Sequence, residues 1–480
     1  MTDNLGRRAL ASVLFMFAAM ATSLVISTVT RFVLAAQLGA AVFGNFTIAQ
    51  AAVGFVMLFA NTQGDRYIVV GKQRRSDMVA TVISTELLLW LLLTAGWVFA
   101  RHLYWDRIVG NVSWTLASLL LLQGLSFPLG RPRALLERDL NFKIIALVNA
   151  STQFVMATVA IVLSFYVKNE LPLILVALVP LGQSLVFLRL GRTPIRLRIH
   201  RPMLPAYAKL CVPLMISGIV VYLNWNGDRF LLDQYVSRRQ LGFYGWAFSL
   251  GTIVLRAKDV IARVLFPVFA EMLRTGQEED LRRALSRLYR AMALVYGLIL
   301  PALVVAAPEL VKLAGSNWHA AGACLQIAFL VFSVRTFNGF LEPILVPHGR
   351  TLLLMSLAII NAVLIVVGGF LALTRWPSIE TMAVVILLAN VMIFFACMRA
   401  VFSVTRANLI AAMGPAAIMS VISYLVMYAW TRWLGSGHLM LGMGIVVGML
   451  FYLLFTWRDI YHLVRTVRQQ VFPDASTTGS

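Results

Sequence analysis

Arg31 to Ala49 reads RFVLAAQLGAAVFGNFTIA, and Arg229 to Ala247 reads RFLLDQYVSRRQLGFYGWA. Set at a constant offset of 198, the two 19-residue stretches share Arg, Phe, Leu, Gly and Ala, with apolar or aromatic exchanges at several other positions. Each runs from the outer end of one apolar segment into the start of the next. Six apolar segments separate the copies, an even number, so both thread a bilayer in the same direction. Parallel six-helix halves related by an axis along the membrane normal are a known transporter architecture, with substrate handled between the halves.

Outward from the repeat, the whole chain reads as membrane protein. Of 480 residues, 60% are hydrophobic and only 13% charged, with a mean hydropathy of +0.83. An ordinary globular chain is about 45–50% apolar and about 25% charged. That balance excludes a soluble enzyme, a disordered chain and, despite a net charge of +21, a nucleic-acid-binding domain. Apolar runs long enough to span a bilayer are expected near residues 9–38, 42–64, 78–100, 113–130, 142–166, 171–190, 207–234, 241–266, 288–308, 320–346, 351–374, 379–398, 408–433 and 437–457. The expected fold is an all-α polytopic membrane protein of about 14 transmembrane helices. It has an amino-terminal six-helix bundle (1–190), a basic linker (191–206), a second six-helix bundle (207–403), an additional helix pair (404–457) and a tail (458–480). Arg7 and Arg8 before the first apolar run look like a signal peptide, but the run is too long and reads as an uncleaved helix.

Charge sets the orientation. With both termini cytoplasmic, most Lys and Arg fall in cytoplasmic segments and few in external ones, as the positive-inside rule requires. Nine of the eleven tryptophans lie at or near expected external helix ends, where an apolar ring with a polar N–H is at home. The basic excess is therefore topogenic. The longest stretch outside a span, about residues 267–287, leaves no room for an external catalytic domain. Cys211, Cys324 and Cys397 stand singly, and the six histidines show no metal spacing, so neither cofactor nor metal is expected.

Four stretches carry a family resemblance: LGAAVFGNFTIAQ (38–50), PRALLERDLNFK (132–143), GDRFLLDQYVSRRQLGFYGWA (227–247) and ARVLFP (262–267). In order and spacing they resemble the polysaccharide transporters, or Wzx-type oligosaccharide–lipid flippases, of the MOP exporter superfamily. One departure is Asn61-Thr62-Gln63-Gly64-Asp65-Arg66 at the end of the second span. The resemblance implies a MATE-like fold of two bundles around a central cavity open alternately to each side. It implies flipping of an undecaprenyl-diphosphate-linked oligosaccharide across the bacterial inner membrane for exopolysaccharide or O-antigen (lipopolysaccharide) assembly. It also implies membrane lipids, a polysaccharide polymerase and a co-polymerase as partners.

The charged residues inside spans point the same way on their own chemistry. An ionisable group in a span costs roughly 2.5–3.5 kcal/mol and so faces a cavity or a partner. Arg31, Arg229, Arg256, Lys258, Arg263 and Arg335 form a ladder of cations across the bilayer, suited to a diphosphate. Arg31 and Arg229 have an alternative role as interfacial anchors, and Arg335 an alternative ion pair with Glu342. Glu86, Asp228, Asp259 and Glu342 are candidates for ion coupling. For Glu86 the alternative is a pair with a buried Arg; for Asp228, a local pair with Arg229; for Asp259, neutralisation of Arg256 and Arg263 on the same helix face. The linker segment with Arg192, Arg196, Arg198 and Arg201 carries no acid and reads as facing anionic lipid. EEDLRRALSRLYR (278–290) reads as an amphipathic surface helix. An ion-coupled multidrug exporter would more often have an acidic or aromatic pocket. A polysaccharide polymerase or ligase would need a large external loop.

Overall fold

A computed structural model describes residues 2–70, 74–108, 114–138, 141–190, 197–255, 258, 269, 272–340, 342–434 and 437–471. These residues are helical almost throughout and contain no β-strand. The chain separates into two compact units. One comprises Met1–Trp246 with Ile365–Ile379, the other Ala247–Leu364 with Glu380–Ser480.

The first unit opens with α1 (Thr2–Leu38) and α2 (Ala40–Met57), divided by a single residue. That residue is Gly39 at φ 77°, a left-handed backbone that glycine adopts without a Cβ penalty. A short α3 (Gly64–Val70) and a long α4 (Arg75–Ile108) follow, then α5 (Trp114–Leu121), α6 (Ser126–Gly130), α7 (Pro132–Arg138) and α8 (Phe142–Tyr166). α9 (Leu171–Ala177) and α10 (Val179–Leu190) meet at a 43° bend. Pro180 explains the bend, since it has no N–H to give the carbonyl one turn back. α11 (Leu204–Tyr235) and α12 (Arg238–Gly251) complete the repeat, although the last residues of α12 belong to the second unit. Tyr67, Met78, Val82, Ile83, Leu135 and Cys211 build an apolar core between α3, α4, α7 and α11.

The second unit contains α13 (Glu278–Lys312), α14 (Ala321–Asn338), α15 (Glu342–Leu345), the first part of α16 (Thr351–Leu373), α17 (Ile379–Thr405), α18 (Leu409–Leu434) and α19 (His438–Val471). Its core gathers Leu285, Tyr289, Phe340, Cys397 and Val401. The C-terminal pair α18 and α19 packs on α13. There the Tyr452 hydroxyl donates to the carbonyls of Leu294 (3.1 Å) and Ala293 (3.4 Å), beside Gly297. In both units large apolar side chains such as Leu92, Phe154, Leu388 and Leu454 point outward, as lipid-facing helices require.

Among the described residues, eleven helices are long and apolar enough to cross a membrane, or twelve if α9 and α10 count as one broken span. The expected count of fourteen is not reached on this criterion. The fourth expected span is the shorter apolar helix Thr115–Gly130, interrupted by a 3-10 turn at Leu122–Leu125 ahead of Pro128. The sixth is the bent pair, and the eighth runs past Leu255 into residues outside the described ones. The amphipathic stretch 278–290 is not a separate surface helix; it is the first part of the 35-residue α13.

Candidate functional site

Glu86, on α4, is fully buried. Arg131, between α6 and α7, grips it with two parallel hydrogen bonds: Nε to Oε2 and Nη2 to Oε1, both 2.6 Å. Arg131 is itself 7% exposed. Its Nη1 donates to Asp65 Oδ1 at 3.0 Å and its Nη2 to Asn61 Oδ1 at 3.3 Å. The Thr62 hydroxyl donates to Glu86 Oε1 and shares a second short hydrogen bond with the Tyr207 hydroxyl of α11. Gly64 makes the closeness possible, because a Cβ there would sit 3.3 Å from Glu86 Oε1 and 2.3 Å from Val82 Cγ1. Two carboxylates share one guanidinium, so the cluster carries an excess negative charge. A bidentate charge-assisted pair of this kind is the strong form of hydrogen bond in a low-dielectric interior. Of the two readings of Glu86, this contact is the pair with a buried Arg.

Still in the first unit, Asp228 of α11 is 4% exposed, and its Oδ2 accepts the Tyr244 hydroxyl of α12. Its Oδ1 has no hydrogen-bond partner among the described residues, nor has the neighbouring Arg229 Nε. Two residues beyond Tyr244, Trp246 donates its indole N–H to the Arg31 carbonyl (3.2 Å) and packs edge-on against Phe32 (centroids 5.4 Å apart). α12 thereby ties the repeat-related arginine segments of α1 and α11 together. Both arginines are half-buried.

In the second unit two of the expected cations lie along the same helix, one turn apart. Arg335 lies near the end of α14, with Nε donating to Asn390 Oδ1 at 3.2 Å and the guanidinium 5.6 Å over the Phe332 ring. One helical turn later Gly339 leaves room for Lys258, whose Nζ would be 2.8 Å from a Cβ placed there. Asn338 donates to the Asn390 carbonyl at 3.3 Å, while its own Oδ1 is buried without a hydrogen-bond partner among the described residues. Two cations and two amides thus line this stretch of the helix. Arg256, Asp259 and Arg263 lie outside the described residues, as does the side chain of Glu342, whose backbone opens α15. No cluster of metal-ligating side chains occurs among the described residues.

The model of a family described as polysaccharide biosynthesis protein matches residues 33–323, more than half of the chain. The chain belongs to the polysaccharide biosynthesis protein family. No curated protein matches this family member's sequence. Among solved structures, the lipid II flippase MurJ in an inward closed conformation is similar at 15% identity and a TM-score of 0.72, over 94% of this chain and 100% of that one. An inward-facing multidrug resistance MATE family transporter of the MOP superfamily is similar at 13% identity and TM-score 0.59, over 82% and 99%. An outward-facing structure of such a transporter gives 14%, 0.54, 84% and 96%. At these identities the likeness shows the fold: this polysaccharide biosynthesis protein is a multi-pass membrane protein with the MOP-superfamily fold.

Sequence reasoning missed Arg131, Asp65, Tyr207 and Asn390. The signal for the first was available, since a mid-span glutamate demands a cation and Arg131 adjoins a short, proline-broken span. Asp65 and its neighbours Asn61 and Thr62 lie in the one stretch that departs from the family pattern, and that stretch supplies much of the buried network.

Proposed function

We propose that this family member is a flippase for an undecaprenyl-diphosphate-linked oligosaccharide. It moves the carrier from the cytoplasmic to the periplasmic leaflet of the bacterial inner membrane, with both termini cytoplasmic, by alternating access. The glycan then enters exopolysaccharide or O-antigen assembly, where a polymerase and co-polymerase are the downstream partners. The protein carries out no covalent step. One observation carries the reading: Lys258 fits against Gly339 one turn from Arg335, with Asn338 and Asn390 alongside, inside a polysaccharide biosynthesis protein.

The physics is that of moving an anion through hydrocarbon. A diphosphate bears about two charges, and burying them unpaired costs many kcal/mol. A guanidinium matches phosphate oxygens in a planar fork, and an ammonium adds a mobile point charge. The membrane potential assists outward movement by about 2.3 kcal/mol per charge per 100 mV. Arg31, Arg229, Arg256 and Arg263 extend the path, and Asp228, Asp259, Glu86 and Glu342 remain the candidates for ion coupling. The polyisoprenoid tail stays in lipid throughout.

The test is reconstitution into liposomes carrying a fluorescent undecaprenyl-diphosphate oligosaccharide, with leaflet accessibility read by a membrane-impermeant quencher. Arg335→Ala and Lys258→Ala each lower the flipping rate at least tenfold, and Arg335→Lys recovers part of it. Wild-type rates in both alanine variants overturn the assignment.

A further inference from the structure

The first unit contains a polar cavity of about 310 Å³ between α3, α6, α7 and α10, distinct from the Lys258–Arg335 pair of the second unit. Asp65, Arg131, Arg133, Glu137, Gln183 and Phe187 are among the residues lining it. Its size is at the lower end of the range for small-molecule sites. Its chemistry narrows the ligand.

An anion is disfavoured. The Arg131 guanidinium is already engaged at Nε, Nη1 and Nη2 by Glu86, Asp65 and Asn61. Arg133 donates Nε to Glu137 Oε1 at 3.0 Å and holds its guanidinium 6.0 Å over the Phe187 ring. Every cation in the lining is thus matched by a carboxylate, and Glu86 behind the wall adds one more negative charge. A purely apolar molecule is disfavoured too, because it would strip water from these groups and return nothing.

The groups that keep hydrogen-bonding capacity are carboxylate acceptors, an amide and the outer N–H groups of the charge-matched Arg133. A carboxylate has about four lone-pair sites. Asp65 commits one oxygen to Arg131 and leaves its side chain 46% exposed, and Glu137 is 32% exposed. Gln183 spends one N–H on the Asn149 carbonyl in a long 3.4 Å contact, which leaves its Oε1 and a second N–H. Acceptors for several hydroxyls, an amide that both donates and accepts, and an aromatic ring in the wall together suit a neutral polyhydroxylated ring.

We propose that this cavity binds a neutral sugar residue of the glycan, separately from the cation pair that takes the diphosphate. The inference rests on the flippase reading and deepens it. Two sites of opposite preference let the protein require both a glycan and a phosphorylated carrier before it moves either.

The full-length protein in lipid nanodiscs is probed by saturation-transfer NMR with the methyl glycosides of glucose, galactose, mannose and N-acetylglucosamine, and with inorganic pyrophosphate as competitor. At least one glycoside receives saturation, and pyrophosphate does not displace it. Gln183→Leu and Glu137→Gln, on different helices, each weaken that binding at least tenfold, while Arg335→Ala leaves it unchanged. Gel filtration identifies any variant that fails to fold, and the remaining variant with the wild-type titration then decides. Silence from all four glycosides, displacement by pyrophosphate, or binding that survives both cavity substitutions overturns the proposal. Those outcomes leave the liposome flipping assay with Arg335 and Lys258 variants untouched, so the two readings fail separately.

Discussion

Gly44 and Gly242, 198 residues apart in the two copies of the repeat, meet each other's helix reciprocally. A Cβ on Gly44 would fall 1.8 Å from the Arg238 carbonyl oxygen, and a Cβ on Gly242 would fall 1.7 Å from that of Ala40. Ala40 and Arg238 are themselves related by the same offset. The amino-terminal ends of α2 and α12 therefore cross backbone to backbone about a local two-fold relationship, with Gly242 also 2.9 Å from the Gly44 nitrogen by the same measure. Thr47 against Gly245 repeats the relationship once more, 198 residues apart.

A methyl group at either glycine forces the helices apart. Overpacking of a tight site typically costs about 1–3 kcal/mol, and here the obstacle is backbone. Gly44→Ala and Gly242→Ala are each expected to destabilise the protein by about 2 kcal/mol or more. Because the first methyl already opens the crossing, the second costs less, and a double-mutant cycle on thermal unfolding in nanodiscs returns a coupling of at least about 0.5 kcal/mol. Full additivity would show that the two contacts are independent.

The buried Glu86–Arg131 pair makes a second cycle informative. Removing one partner strands a charge, at a cost of about 3–5 kcal/mol, whereas removing both is far milder. Arg131→Met alone is expected to lose that amount, and Glu86→Gln with Arg131→Met to regain at least half of it. Unfolding monitored by denaturant titration in mild detergent checks this.

Gly339→Ala separates stability from transport. The atom it would meet is the end of the flexible Lys258 side chain, which can move aside. Thermal stability should change by less than about 0.5 kcal/mol, as for substitutions away from packed features. Flipping should fall toward the Lys258→Ala rate, because the ammonium is displaced from its place against Gly339.

Cys211, Cys324 and Cys397 form no disulfide and are no more than 1% exposed. A maleimide reagent is expected to label none of them in the folded protein and all three after unfolding, which mass spectrometry reads directly. Labelling of one cysteine under native conditions would reveal local opening at that helix.

The helical membrane fold was legible because apolar length and the 198-residue offset are properties of contiguous sequence. The offset carried more than its few identities suggested, since Gly44 and Gly242 are matched by contact and not by shared apolarity. The network at Glu86 was not legible. Its members come from positions 61, 62, 65, 86, 131 and 207, and nothing local in a chain announces that such distant side chains converge. Arg131 also looks like one more topogenic arginine at a helix end. The broken spans at Leu122–Leu125 and Leu178 follow from Pro128 and Pro180, residues visible in the sequence whose local effect on helix continuity depends on neighbours it does not specify.

The hydrogen bond between Thr62 and Tyr207 joins residues on opposite sides of the basic linker. The first six spans are accordingly not self-sufficient, although the repeat makes them look like a module. During synthesis they enter the bilayer with an unfinished interior that waits for the next helix to emerge. A gene split within the linker would yield an orphan fragment dependent on its complement and, without it, a substrate for the proteases that police membrane assembly.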